Sequence, residues 1–434
     1  MNAPAISAGD TAWVLVATTL VLLMVPGLAL FYGGLVRTRA VLNTFMMSVA
    51  ALAVVGVQWV LGGYSLAFAP GSLIGSLTWA GLDGVGAAAG PYSATIPHAA
   101  FAGFQAMFAG ITVALISGAM VERVRFHVFV AFALLWTTFV YDPLAHWVWA
   151  ADGWLRKLGA LDFAGGTVVH ISAGTAALVA AIMLGRRRDF GRAGLRPHNV
   201  VFTLAGAGLL WVGWMGFNAG SSLAADGVAA IALVNTHAAA AAATIAWLSI
   251  EFVRRGQATA IGGATGAVVG LVAITPAAGY VTPMSALAIG ALGACASYVA
   301  VQWRSKTIID DALDVFACHG VAGIVGALLT GVFASKAVNA AGADGLLYGN
   351  ARLLGVQTLA VACTIAFAAP MTAAIFSALR AVGSLRLALS DQLAGVDVSE
   401  HGEHAYDDGE MSALAGSGPV ISEPVVIPSV ERAA

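Results

Sequence analysis

The chain has 434 residues, of which 59% are hydrophobic and only 10% charged, with a formal net charge of −2. A soluble protein of this size needs far more charge to cover its surface, so the bilayer is the solvent for most of this one. Its three cysteines, Cys295, Cys318 and Cys363, all fall in apolar stretches, which argues against a disulfide framework or a thiolate metal site and for packing roles.

A membrane-crossing helix needs about 20 mostly apolar residues. The first candidate runs over 12–33. No Lys or Arg precedes it, it is long for a signal core, and Arg37 and Arg39 follow it, so it reads as a span and not as a removed leader. The next candidates run over 43–69, 98–121, 126–149, 164–185, 198–219, 227–252, 258–276, 283–303, 315–335 and 349–381, which makes eleven. The last is long enough to tilt or to project beyond the bilayer. Glycine and other small residues recur within these runs, as close helix packing requires.

Basic residues sort the loops between the two sides. Sixteen of them, from Arg37 and Arg39 through Arg123, Arg125, the 186–196 loop, Arg254, Arg255, Arg304 and Lys306 to the carboxyl end, share one side. Only Arg156, Lys157, Lys336 and Arg352 lie on the other. The expected orientation is therefore an outside amino terminus and a cytoplasmic carboxyl terminus.

Span five carries His170-Ile-Ser-Ala-Gly174 and span ten carries His319-Gly-Val-Ala-Gly323, and each cassette has an acid upstream, Asp162 and Asp314. An ionisable group at bilayer depth costs roughly 2.5–3.5 kcal/mol when charged, so such residues usually mark a transport path. Spans one and six also match, through Phe31-Tyr-Gly-Gly34 and Phe217-Asn-Ala-Gly220. A five-helix unit repeated once must be inverted in the membrane, because five is odd. The expected fold is all-α and integral to the membrane, with two inverted five-helix repeats, a long eleventh helix and a path between the halves. Residues 1–386 would form the membrane domain and 387–434 a cytoplasmic tail, ordered to about 408 and disordered beyond.

Longer motifs carry a resemblance. Phe31-Tyr-Gly-Gly-Leu-Val-Arg37, Gly118-Ala-Met-Val-Glu-Arg123, Leu161-Asp-Phe-Ala-Gly-Gly-Thr-Val-Val-His170, Gly213-Trp-Met-Gly-Phe-Asn-Ala-Gly-Ser221 and Asp314-Val-Phe-Ala-Cys-His-Gly320 resemble the ammonium transporters of the Amt/Mep/Rh superfamily, bacterial Amt branch. The resemblance covers about residues 10–408. It implies a homotrimer in the bacterial inner membrane, with one pore per subunit and ammonium or ammonia as substrate.

The resemblance assigns an outer recruitment site to Phe108, Trp149 and Ser221. The residue types suit a cation: aromatic faces attract ammonium by about 0.5–2 kcal/mol, and a serine oxygen accepts an N–H bond. Trp149 alone would read as an interfacial belt residue. The resemblance also makes Phe108 and Phe217 a stacked gate, and His170 and His319 the twin histidines of an apolar pore. No further ligand is spaced beside either histidine, so a metal site is not expected. Asp162 is expected to cap span five as a structural and electrostatic residue, and Asp314 to serve similarly at the cytoplasmic mouth. His237 and His146 read as bonded core or subunit contacts, and Thr275-Pro276 has no derived role.

The tail, with Gly395-Val-Asp397 and Glu400-His-Gly-Glu-His-Ala-Tyr406, is similar to the family's docking segment for a PII-type signal protein, although Gly-Leu-Asp is usual there. The competing function is an ammonium sensor signalling through its cytoplasmic side. An enzyme is not expected, since no nucleotide loop, metal cluster or nucleophile–base pair stands outside the spans. No cofactor or nucleic-acid partner is expected.

Overall fold

Short polar side chains start the helices. Asn199 accepts the Phe202 N–H (3.0 Å), Asp226 the Ala229 N–H (2.8 Å) and Thr259 the Gly262 N–H (2.9 Å), each satisfying a donor with no partner inside the helix. The computed structural model describes residues 6–191 and 196–406. Among these, ten helical spans are long and apolar enough to cross a membrane: α1 (Ala8–Leu35), α2 (Thr38–Phe68), α3 (His98–Ala119), α4 (Phe126–Leu158), α5 (Gly166–Leu184), α6 (Val200–Gly220), α7 (Gly227–Arg255), α9 (Pro283–Arg304), α10 (Phe316–Phe333) and α11 (Ala351–Val382). Between α7 and α9 lies α8 (Ala260–Ile274), whose 15 residues fall short of the expected span over 258–276. Helical geometry stops there as Pro276 approaches, a residue with no N–H to continue the ladder.

One feature is not helical. Between α2 and α3, β1 (Ala89–Gly90) and β2 (Ser93–Pro97) form a short antiparallel hairpin, so the described fold is all-α but for this ribbon. At its turn Tyr92 donates to the Phe68 carbonyl and stacks on Phe101, with ring centroids 4.6 Å apart.

α1 and α6 pack antiparallel along their length. Thr203 lies against Gly34, Gly206 against Phe31, and Gly216 against Ala17. A Cβ on Gly206 would stand 2.3 Å from the Phe31 nitrogen, so the two backbones touch.

A buried ion-pair cluster closes the basic face. Glu122 accepts from the backbone N–H and guanidinium of Arg37, and Arg187 reaches both Glu122 (3.3 Å) and Asp310 (2.9 Å). Arg123 lies 3.7 Å from Asp310. Burial pushes the Glu122 carboxyl up, but Arg187 and Arg37 outweigh it and hold it below the ordinary range. The two motifs that end in Arg37 and Arg123 therefore meet here, which their sequence separation hides.

Residues 387–406 lie against the same face as two short helices, α12 (Leu389–Ala394) and α13 (Val396–His401). Asp397 accepts the N–H groups of Leu42 (3.0 Å) and Asn43 (2.8 Å), and Glu400 accepts that of Phe126 (2.8 Å). Acids of the tail thus cap the first turns of α2 and α4, where the helix dipole favours negative charge. Tyr406 reaches His198 at 2.8 Å. The expectation of disorder past 408 lies outside the described residues.

Candidate functional site

The site is a column of rings between two cavities. On the side opposite the basic face, a cavity of about 620 Å³ is lined by Phe108, Trp149, Asp162, Ser221 and Gln105 among others. Trp149 meets Phe108 edge to face at 6.0 Å, and its indole N–H donates to the Asp162 carbonyl (2.9 Å). Arg156 also donates to the Trp149 carbonyl. The Ser221 hydroxyl donates to the Phe217 carbonyl (2.9 Å), which leaves its lone pairs free to accept.

Below this cavity Phe108 stacks on Phe217 with centroids 4.1 Å apart and planes 22° from parallel. Both rings are buried and belong to different helices, α3 and α6. Beneath Phe217 the open volume narrows to about 10 Å³ among Ile111, Leu115, Leu210, Trp214, His170 and His319. That is room for about one water, on walls that are apolar apart from the histidines and a few polar tips. His319 then opens onto a second cavity of about 420 Å³ at the basic face, bounded by Tyr32, Asp314, Cys318 and Glu251.

The two histidines touch. Their rings lie 5.4 Å apart and 29° from parallel, with Nδ1 3.4 Å from Nδ1. Two neutral imidazoles can share that contact only if one carries its proton on Nδ1 and the other on Nε2. His170 stacks on Trp214 at 5.4 Å, and its Nε2 finds no partner among the described residues. Trp214 is itself held by Thr275, whose hydroxyl accepts the indole N–H (2.9 Å).

Local backbone geometry brings these rings together. Both histidines sit in π-helical turns, Gly166–Ile171 and Phe316–Val321, which widen the helix by one residue and turn the ring inward. The glycines of the two cassettes then allow the crossing. A Cβ on Gly174 would meet the Gly320 nitrogen at 2.2 Å, and one on Gly323 would stand 3.2 Å from the His170 Cβ. Each cassette therefore packs its glycine against the other cassette's histidine segment.

Asp162 is a cap with every lone pair occupied. It accepts the N–H groups of Gly165 (2.8 Å), Gly166 (2.6 Å), Thr167 (2.9 Å) and Val168 (3.2 Å), and the Thr167 hydroxyl. Asp314 does something else. Its carboxylate pairs with Arg304 at 2.7 Å on the wall of the basic-face cavity, and its φ is +56°, rare without glycine. The helix-capping counterpart of Asp162 is Asp311, which accepts the Phe316 N–H at 2.7 Å. A signal was present: Asp311 precedes His319 by the same eight positions that separate Asp162 from His170. Burial first, and then the charge of Asp314, push the Asp311 carboxyl up to about 6.

The remaining residues fall outside the column. His146 is bonded core, with ring nitrogens 3.1 Å from the Ala67 and Gly71 carbonyls. His237 is not core: it lies exposed on α7, its ring 5.4 Å from that of Trp211. Cys295 is likewise exposed, whereas Cys318 is buried. No group of three or more metal-type ligands occurs among the described residues.

With this geometry in hand, comparison with known proteins decides the family. Residues 12–406 match the Ammonium Transporter Family. The chain belongs to that family. An ammonium transporter of Bacillus subtilis (strain 168) is 50% identical over 402 residues, covering 92% of this chain and 99% of its own. The ammonium transporter Amt1 of Archaeoglobus fulgidus is 42% identical, covering 92% and 100%. Among solved structures, Saccharomyces cerevisiae Mep2 superposes with a TM-score of 0.82 at 37% identity, covering 87% of this chain and 89% of its own. A structure described as a sensor Amt protein gives 0.82 at 29% identity, covering 91% and 98%. Ammonium transporters are transporters and not enzymes, and the ten long apolar helices fit a multi-pass membrane protein.

Proposed function

We propose that this protein moves ammonium across the membrane by taking it apart at the stacked phenylalanines. The ion is recruited in the cavity of Phe108, Trp149 and Ser221, gives up its proton as it passes Phe108 and Phe217, and crosses the narrow segment as ammonia. The proton follows along His170 and His319. One observation carries this reading: a ring stack and a pair of touching histidines stand in series between two open cavities, with about 10 Å³ of free volume between them.

An aromatic cage with one oxygen acceptor holds a donor-only cation. A narrow apolar segment makes a bare charge costly, so the neutral form is the one admitted. Imidazoles sharing a single Nδ1 contact can pass a proton by exchanging tautomers. Potassium has no proton to surrender and stays behind. Asp162 acts on this path as a structural and electrostatic residue, fixing the start of α5 and, through its carbonyl, the Trp149 indole. Asp314 with Arg304 shapes the exit.

The antiparallel crossings of α1 with α6 and of α5 with α10 support two inverted halves. The weight of basic residues on the Arg37 face supports a cytoplasmic position for that face, an outside amino terminus and an inner-membrane location in a bacterium. Exposed His237 on α7, beside half-buried Trp211, supports burial against a second copy, in line with a homotrimer. The tail packed on the basic face supports docking of a PII-type regulator there.

Recruitment is tested by Trp149→Leu and Ser221→Ala in proteoliposomes. Each raises the KM for ammonium, by about 2- to 30-fold for Trp149→Leu, the range of one cation–π contact. Unchanged KM in both variants contradicts recruitment at this cavity.

A further inference from the structure

The recruitment cavity contains one acceptor that the reading above leaves idle. Gln105 lies on α3 three residues before Phe108, on the same side of the helix, and lines the same cavity. It is 9% exposed, and its side-chain oxygen has no hydrogen-bond donor among the described residues. A buried amide oxygen without a donor is rare, because the lost hydration is not replaced. No partner fixes which way the amide faces, so the oxygen is free to turn toward the cavity.

Ammonium presents four N–H donors and no acceptor. The aromatic faces of Phe108 and Trp149 attract its charge, but Ser221 alone offers it an oxygen from this group. We propose that Gln105 is a second oxygen ligand of the recruited ion, placed beside Phe108 where the ion last binds before the ring stack. The inference rests on the recruitment reading and deepens it: the site favours cations with several N–H groups, and ammonium over its methylated form, which has lost one donor.

The test compares Gln105→Leu and Gln105→Glu with wild type and with Ser221→Ala, each checked for a monodisperse elution profile and wild-type melting before reconstitution. Transport currents are titrated with ammonium and with methylammonium. Gln105→Leu is expected to raise the KM for ammonium about tenfold, as for one hydrogen bond to a charged group, and to raise that for methylammonium less. Gln105→Glu keeps an acceptor and is expected to hold KM at or below the wild-type value. If Ser221→Ala raises KM while Gln105→Leu leaves it within twofold, Gln105 is no ligand and recruitment stands. If Gln105→Glu is as impaired as Gln105→Leu, the residue contributes shape alone and the proposal is overturned. If no variant moves KM, recruitment at this cavity falls and this proposal with it.

Discussion

At the scale of single residues, the two capping aspartates differ in how fully they are satisfied. Asp162 accepts five donors across its two oxygens. Asp311 uses one oxygen on the Phe316 N–H, and its other oxygen is buried without a donor. Asp162→Ala is expected to strand those donors and to cost on the order of 2–5 kcal/mol, read as a large fall in melting temperature in detergent. A wild-type melting temperature contradicts the capping account. For Asp311 the sign is the opposite. Its folded pKa of about 6 lies above the unfolded value near 3.9, so the folded state holds an extra proton between them. Stability from this group therefore falls as pH rises through about 6, by at most about 3 kcal/mol. Asp311→Asn, which cannot ionise, should gain in melting temperature relative to wild type between pH 5 and pH 8. A difference that does not change with pH counts against this.

At the scale of elements, the contact between α5 and α10 decides whether the histidines meet. Two π-helical turns aim the rings and two glycines let the helices cross. Gly174→Ala places a methyl 2.2 Å from the Gly320 nitrogen, a distance no Cβ tolerates, so the helices must part. The expected result is a loss of transport out of proportion to the loss of stability, because separation breaks the 3.4 Å imidazole contact first. Gly323→Ala, where the nearest atoms stand at 3.1 Å, should be milder. Equal and negligible effects of the two substitutions on transport rate would show that the crossing has slack.

Across the whole molecule, what the sequence revealed follows from what periodicity and spacing can encode. Apolar length located ten long spans and, over the expected eighth, a shorter apolar helix, α8, whose 15 residues give way to a turn carrying Thr275. The matched histidine cassettes were legible because an ionisable group in an apolar run stands out locally. The helix-capping counterpart of Asp162 was hidden because Asp310, Asp311 and Asp314 crowd five positions. Only their surroundings separate them: Arg187 and Arg123 for Asp310, a helix start for Asp311, and Arg304 for Asp314. Gln105 gave no signal, since a single neutral amide in an apolar run carries no charge to mark it. The Arg37–Glu122–Arg187–Asp310 cluster joins distant segments, and no local pattern announces such pairing. It also ties together the ends of α1, α3 and α5 and the segment before α10, so the pore lies in one framework with the tail-bearing face.

Passage of charge with the substrate through the histidine pair is the property that decides the mechanism. The measurement is the current evoked by an ammonium pulse in proteoliposomes, for wild type and His170→Ala, with potassium as the competing ion. We expect a wild-type current without potassium flux, and a His170→Ala variant that loses the current or its selectivity over potassium. A wild type that carries no current, while ammonia entry still raises the pH inside the vesicles, would contradict the proton path along His170 and His319.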